Sequence, residues 1–151
     1  MHIESMNFMI KILLTIFILL TPYLMADDED ETIKVVYHCD YDDEKRFNLM
    51  MDNIRFQAEM YESNMEEFDI RVVANGSCSK FMDKTQAPSK AVGKVKSRID
   101  TFDIKFYVCE LGMKFNKVKR KNLIKSVNLI PLGLVEITKL QHNGYAYLKI
   151  Q

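Results

Sequence analysis

The sequence predicts a three-layer α/β domain built on a mainly parallel five-stranded sheet. Three observations lead there. Five short runs rich in β-branched and aromatic residues recur along the chain. Stretches with apolar residues at spacings of three and four separate them, and 151 residues suit one such domain behind a short leader. Strands joined through helical stretches imply right-handed crossovers and therefore parallel neighbours.

The first segment is not part of that pattern. Residues 8–20, FMIKILLTIFILL, are almost wholly apolar, Thr21-Pro22 breaks the run, and Asp27 to Glu31 follows as an acidic stretch. A membrane-spanning helix needs about 20 apolar residues. This core is shorter and contains Lys11, so residues 1–26 read as a secretory signal with cleavage after Ala26. Leu24 is larger than the residue such a site prefers, Lys11 is the leader's only lysine or arginine, and either Met1 or Met6 can be the start. The alternative is an uncleaved membrane anchor facing the periplasm. The leader holds no cysteine for lipid attachment. The expected location is the periplasm or the exterior, with an acidic linker over 27–32 and the domain over 33–151.

Residues 33–38, Ile-Lys-Val-Val-Tyr-His, are the first predicted strand, ending at Cys39-Asp40-Tyr41-Asp42-Asp43. Asp42 or Asp43 can cap a helix over 44–63 by accepting a backbone hydrogen bond. Phe47, Met50, Met51, Ile54, Ala58 and Tyr61 line one face of it, the methionines serving as flexible core filler. Residues 68–74 alternate like a strand and end at Asn75-Gly76. A short helix then carries Cys78 and Phe81-Met82. Pro88 opens another helix with Val92, Val95 and Ile99 as its stripe, weakened by Gly93 in its interior. Residues 103–109 are the third strand, followed by a turn into helical structure and a short helix near 121–126. Val127 to Leu132 is the fourth strand. Gly133 leads into a helix with Leu134, Val135, Ile137, Thr138 and Leu140, Asn143-Gly144 turns, and 145–150 closes as a fifth strand, parallel or antiparallel at an edge. The whole corresponds to a flavodoxin-like sandwich.

Zero formal net charge conceals a polarity along the chain. Residues 27–70 hold 15 acidic and 4 basic residues, whereas 79–125 hold 4 acidic and 13 basic. A basic band such as Lys114-Lys117-Lys119-Arg120-Lys121 has no nucleic-acid motif beside it, so complementary surfaces between protomers are the simpler reading and no nucleic acid is expected. No Gly-rich dinucleotide loop follows the first strand, and its place is taken by a histidine, a cysteine and three aspartates, a poor setting for a phosphate. P-loop, HExxH and Gly-x-Ser-x-Gly patterns are absent as well. No cofactor is expected, and a zinc site from His38, Cys39, Cys78 and Cys109 lacks compact ligand spacing.

The chemistry-bearing residues are three cysteines, each following a β-branched run. Parallel sheets often place chemistry where their strands end, so Cys39, Cys78 and Cys109 are candidates for one rim. Cys109 precedes Glu110-Leu111-Gly112-Met113, where backbone N–H groups of a turn would favour a thiolate or hold a persulfide; a Glu110 carboxylate aimed at the sulfur would oppose it. The bland reading is a small buried residue closing a strand. His38 can act as acid or base, or donate to Cys109, if the first and third strands are neighbours, as in the common doubly wound order; otherwise it is a satisfied structural histidine. His142 lies in a polar turn and reads as solvated. An oxidising location permits one disulfide, Cys39–Cys109 or Cys78–Cys109 being possible on the shared rim, with Cys39 or Cys78 as an auxiliary or resolving thiol. The absence of CxxC disfavours a thioredoxin-like reductase.

With these residues in hand, the chain resembles the DsrE/DsrF-like sulfur-relay family, in particular its small single-domain members with leaders. The resemblance covers about residues 33–150 and rests on KVVYHCDYDD at 34–43, NLMMDNI at 48–54, VVANG at 72–76, IKFYVCE at 104–110 and IPLGLVEITKLQHNGYAYLKI at 130–150. It implies a flavodoxin-like domain assembling into dimers, trimers or hexamers. It also implies sulfur carried as a persulfide on the position matching Cys109 and handed to a partner protein, with His38 polarising the same pocket. The pocket lining departs from the family pattern at Glu110 and Gly112, and at Asn75-Gly76-Ser77-Cys78. Export separates this chain from cytoplasmic carriers that feed RNA thiolation. The expectation is a sulfur carrier rather than a complete enzyme; the alternatives are a non-catalytic oligomeric binding module and a thiol–disulfide switch.

Overall fold

The computed structural model describes residues 32–151. The predicted leader and nearly all of the acidic linker lie outside the described residues. Strand β1 (Ile33–Cys39) leads to helix α1 (Glu44–Ser63), strand β2 (Phe68–Ala74), a 3-10 segment over Gly76–Met82, and helix α2 (Ser89–Phe102). Strand β3 (Lys105–Cys109), helix α3 (Glu110–Phe115), a 3-10 turn over Arg120–Asn122, strand β4 (Asn128–Ile130), helix α4 (Gly133–His142) and strand β5 (Ala146–Leu148) follow. Among the described residues no helix is long and apolar enough to cross a membrane.

All five strands run parallel, in the order β4-β3-β2-β1-β5. The path explains the layers. From β1 to β4 the chain steps one strand at a time in a single direction, so right-handed crossovers put α1 and α2 on one face. The return from β4 to β5 runs the opposite way, and the same handedness puts α4 on the other face. The apolar positions agree with this. Val35, Tyr37, Ile70, Val72, Phe106 and Val108 point into the larger core with Phe47, Met50, Met51, Ile54 and Ala58 of α1. Val36, Val73 and Ile130 point to the opposite side, against Ile137 and Leu140 of α4. The two methionines are fully buried core residues.

Asp43 caps α1 by accepting from the Arg46 N–H at 2.8 Å. Helix α2 docks on α1 through Val95 and through buried Arg98, which donates to the Met51 carbonyl at 3.0 Å. Three elements differ from the sequence reading. The expected helix near 121–126 is one 3-10 turn, because Asp83 bridges to Leu123 and draws that segment into an extended contact. The fourth and fifth strands shorten to three residues each, since each has a single strand neighbour to pair with. Strand β1 and strand β3 are not neighbours: β2 lies between them.

Candidate functional site

Cys109 ends β3 and is the N-cap of α3, its Sγ accepting the Gly112 N–H at 3.4 Å. Alternation turns it away from Val108 and the α1–α2 core, and its thiol faces the Pro131 carbonyl oxygen at 3.9 Å. It is free and fully buried. Its surroundings are backbone held at unusually close range. A Cβ on Gly112 would stand 2.9 Å from the Gly76 nitrogen, and one on Gly133 would stand 3.1 Å from Asn75 Cβ. Gly76 itself has φ +48°, a conformation that suits a residue without Cβ. Of the expected pocket residues, Gly76 is thus packed against Gly112 and Asn75 against Gly133, and Gly112 in turn donates to Cys109. Glu110 is turned aside by an ion pair with Arg120 on the surface.

The other two cysteines do something else. Cys39 and Cys78 form a disulfide, with Cα atoms 5.6 Å apart, and both are fully buried. Neither expected pairing, Cys39–Cys109 or Cys78–Cys109, is formed. The reason is geometric: Cys39 packs with the α1–α2 core, Cys109 faces the α4 side, and β2 separates their strands. Held in this bond, neither Cys39 nor Cys78 presents a free thiol to Cys109.

His38 is likewise kept from Cys109 by β2, two strand spacings or about 10 Å of sheet away. It lies 6% exposed beneath the β1–β5 edge, with Nδ1 2.8 Å from the Tyr147 hydroxyl and Nε2 without a partner. Burial pushes its imidazole below the ordinary histidine value; Asp40 opposes that shift and Lys149 reinforces it. Asp40 is bound by Lys149 at 2.7 Å. Desolvation works against the Asp40 carboxylate, but the Lys149 hydrogen bond and the His38 and Lys149 charges hold it below its usual range. His142 is the last residue of α4, not part of the turn, and is exposed.

Two contributors escaped the sequence reading. Asn116 caps α3 and donates from Nδ2 both to the Gly76 carbonyl at 2.9 Å and to the Gly112 carbonyl at 2.8 Å. An asparagine just past a short apolar run is a helix-end signal, but its second partner is 40 residues away. Tyr147 lies within the expected fifth strand over 145–150, and nothing local points to His38 as its partner. An open cleft of about 370 Å³, lined by Asp42, Glu44, Lys80, Phe81, Gln86, Ala87 and Pro88, does not include Cys109. Among the described residues no group of three or more His, Cys, Asp or Glu side chains is placed to hold a metal ion.

Comparison with known proteins places this geometry in context. A family profile described as the DsrE/DsrF-like family matches residues 31–150. The structure is similar to that of MTH1491, a protein of unknown function from Methanobacterium thermoautotrophicum, with a TM-score of 0.67 and 25% identity, covering 78% of this chain and 98% of that one. It is also similar to the ychN protein from E. coli, with a TM-score of 0.61 and 14% identity over 78% of this chain and 99% of that one; that likeness concerns the fold. No curated protein gives a significant match.

Proposed function

Because the chain belongs to the DsrE/DsrF-like family, we propose that it is an exported sulfur-relay protein that carries sulfane sulfur on Cys109. The observation that carries this reading is a free thiol at the end of β3 receiving a backbone N–H from Gly112. In the forward step the Cys109 thiolate attacks the outer sulfur of a persulfide donor. The donor's S–S bond breaks, its thiolate leaves, and Cys109 becomes a persulfide. A partner thiolate then attacks that outer sulfur and Cys109 departs as thiolate. No net oxidation occurs, so the protein is a carrier and needs no cofactor for these steps. Exposed apolar residues near the strand ends, Leu111, Phe115, Leu134 and Val135, support docking of a donor or acceptor protein there. The opposed charge of residues 27–70 and 79–125 supports self-association as a homo-oligomer. Export is supported by the leader pattern and by the Cys39–Cys78 disulfide, a bond that persists in oxidising compartments.

One observation favours a second reading, a non-catalytic oligomeric binding module: Cys109 has 0% exposure. Intact-mass spectrometry separates the two. After exposure to polysulfide, wild type gains about one sulfur atom that dithiothreitol removes, and Cys109→Ser does not. A Cys109 that neither loads nor labels until the chain unfolds leaves the binding module as the better account.

A further inference from the structure

We propose that the Cys39–Cys78 disulfide and Asn116 are positioning elements that hold the Gly76–Met82 segment against Gly112, the residue whose N–H Cys109 accepts. The biological meaning rests on Cys109 being the working sulfur; the positioning itself does not. The segment needs outside support. It is a seven-residue 3-10 stretch, whereas such helices rarely exceed three or four residues because their hydrogen bonds are poorly aligned. Three restraints supply that support. At its start, Asn75 donates its N–H to the Cys39 carbonyl at 2.7 Å, and its Oδ1 accepts the Gly76 N–H at 2.8 Å. Two residues further, Cys78 is covalently tied to Cys39 at the end of β1. Across the gap, Asn116 binds the Gly76 and Gly112 carbonyls with one amide nitrogen and so clamps the two backbones together.

The clamp bears on the sulfur through one residue. Gly112 presses on the Gly76 backbone, and the Gly112 N–H is the group that Cys109 Sγ accepts. The same segment braces the opposite wall, where Asn75 packs under Gly133 at the start of α4. A disulfide on the α1–α2 side of the sheet therefore governs a thiol that faces the α4 side. The link runs through contiguous backbone, with no sulfur–sulfur contact between them. Loosening the Gly76–Gly112 contact then frees the Gly112 turn that donates to Cys109, and the two restraints limit how often it loosens.

The test is peptide-resolved iodoacetamide labelling of the native protein, read beside amide hydrogen exchange. Two separate variants cut the restraints: Cys39→Ser with Cys78→Ser, and Asn116→Asp, which keeps the size but loses the donor. In each, Cys109 labels at least about ten-fold faster than in wild type and outpaces the global opening rate read from α1 core amides. In Asn116→Asp, faster exchange is confined to 76–82 and 110–116. Asn116→Gln, which retains the amide, restores part of the protection. Because both restraints act on one contact, the combined variant accelerates labelling by less than the product of the two effects. Labelling within two-fold of wild type in both variants overturns the proposal. So does labelling that merely tracks the α1 amides, which would make the restraints general stabilisers. Failure of polysulfide loading with accelerated labelling would remove the carrier reading and leave the positioning role standing.

Discussion

Cys109 and His38 show how differently one rim can treat two reactive side chains. Cys109 has a partner on each side, accepting the Gly112 N–H and facing the Pro131 carbonyl oxygen. His38 has one partner and one orphaned nitrogen, an arrangement that keeps the ring neutral. The sign of its effect on stability follows. A folded value below the unfolded one means that the unfolded chain binds the proton more readily. The His38 contribution is therefore complete above the ordinary value of 6.5 and is lost as pH falls from there through the lowered folded value. Urea midpoints measured from pH 8 to pH 5 should fall more steeply for wild type than for His38→Gln. Tyr147→Phe strands the second ring nitrogen as well, a loss of about 1–3 kcal/mol for a buried unpaired group; chemical denaturation at pH 8 checks it.

At the level of elements, two glycines make opposite predictions. Gly93 sits inside α2 with nothing within 4 Å of a would-be Cβ. Gly93→Ala should stabilise the protein by about 0.5–1 kcal/mol through helix propensity alone, visible as a raised urea midpoint. Gly112 lies in α3 with the Gly76 nitrogen 2.9 Å and the Gly76 oxygen 3.0 Å from its Cβ position. Those are backbone atoms that cannot rotate away, so Gly112→Ala should cost about 1–3 kcal/mol, as overpacking does. The sequence reads Gly93 as a helix-interior glycine and Gly112 as part of a turn leading into helix; only the neighbour brought in from 36 residues earlier reveals the close approach at Gly112. The same limit applies to Asn116. Its place at a helix end is a local matter, whereas the Gly76 carbonyl it binds is a product of the fold.

For the molecule as a whole, the Cys39–Cys78 bond is a covalent restraint that closes a loop with a sequence separation of 39. Chain entropy assigns such a loop about 4 kcal/mol. Denaturation of the Cys39→Ser, Cys78→Ser variant should show a loss of that order, with the slope against urea altered if the unfolded chain expands. The parallel α/β class and most elements were legible in the chain because apolar periodicity is a local property. The α1 face came through residue for residue, from Phe47 to Ala58, since a 20-residue helix repeats its signal several times. The short β4 and β5 carry too few residues for their ends to be read. Cys109 was legible as a strand-end thiol and Gly112 as part of the turn after it, whereas Asn75 and Gly76 entered its pocket only through the family resemblance. Strand order was not legible. Nothing local distinguishes β3 from β5 as the second neighbour of β1, yet that choice decides that His38 meets Tyr147 and not the Cys109 strand. The sequence by itself determined which residues form strands and helices, because backbone preference and side-chain alternation act within a few residues. Only the tertiary structure decided which sulfur stays free, because that depends on which strand ends lie side by side and which face each cysteine meets.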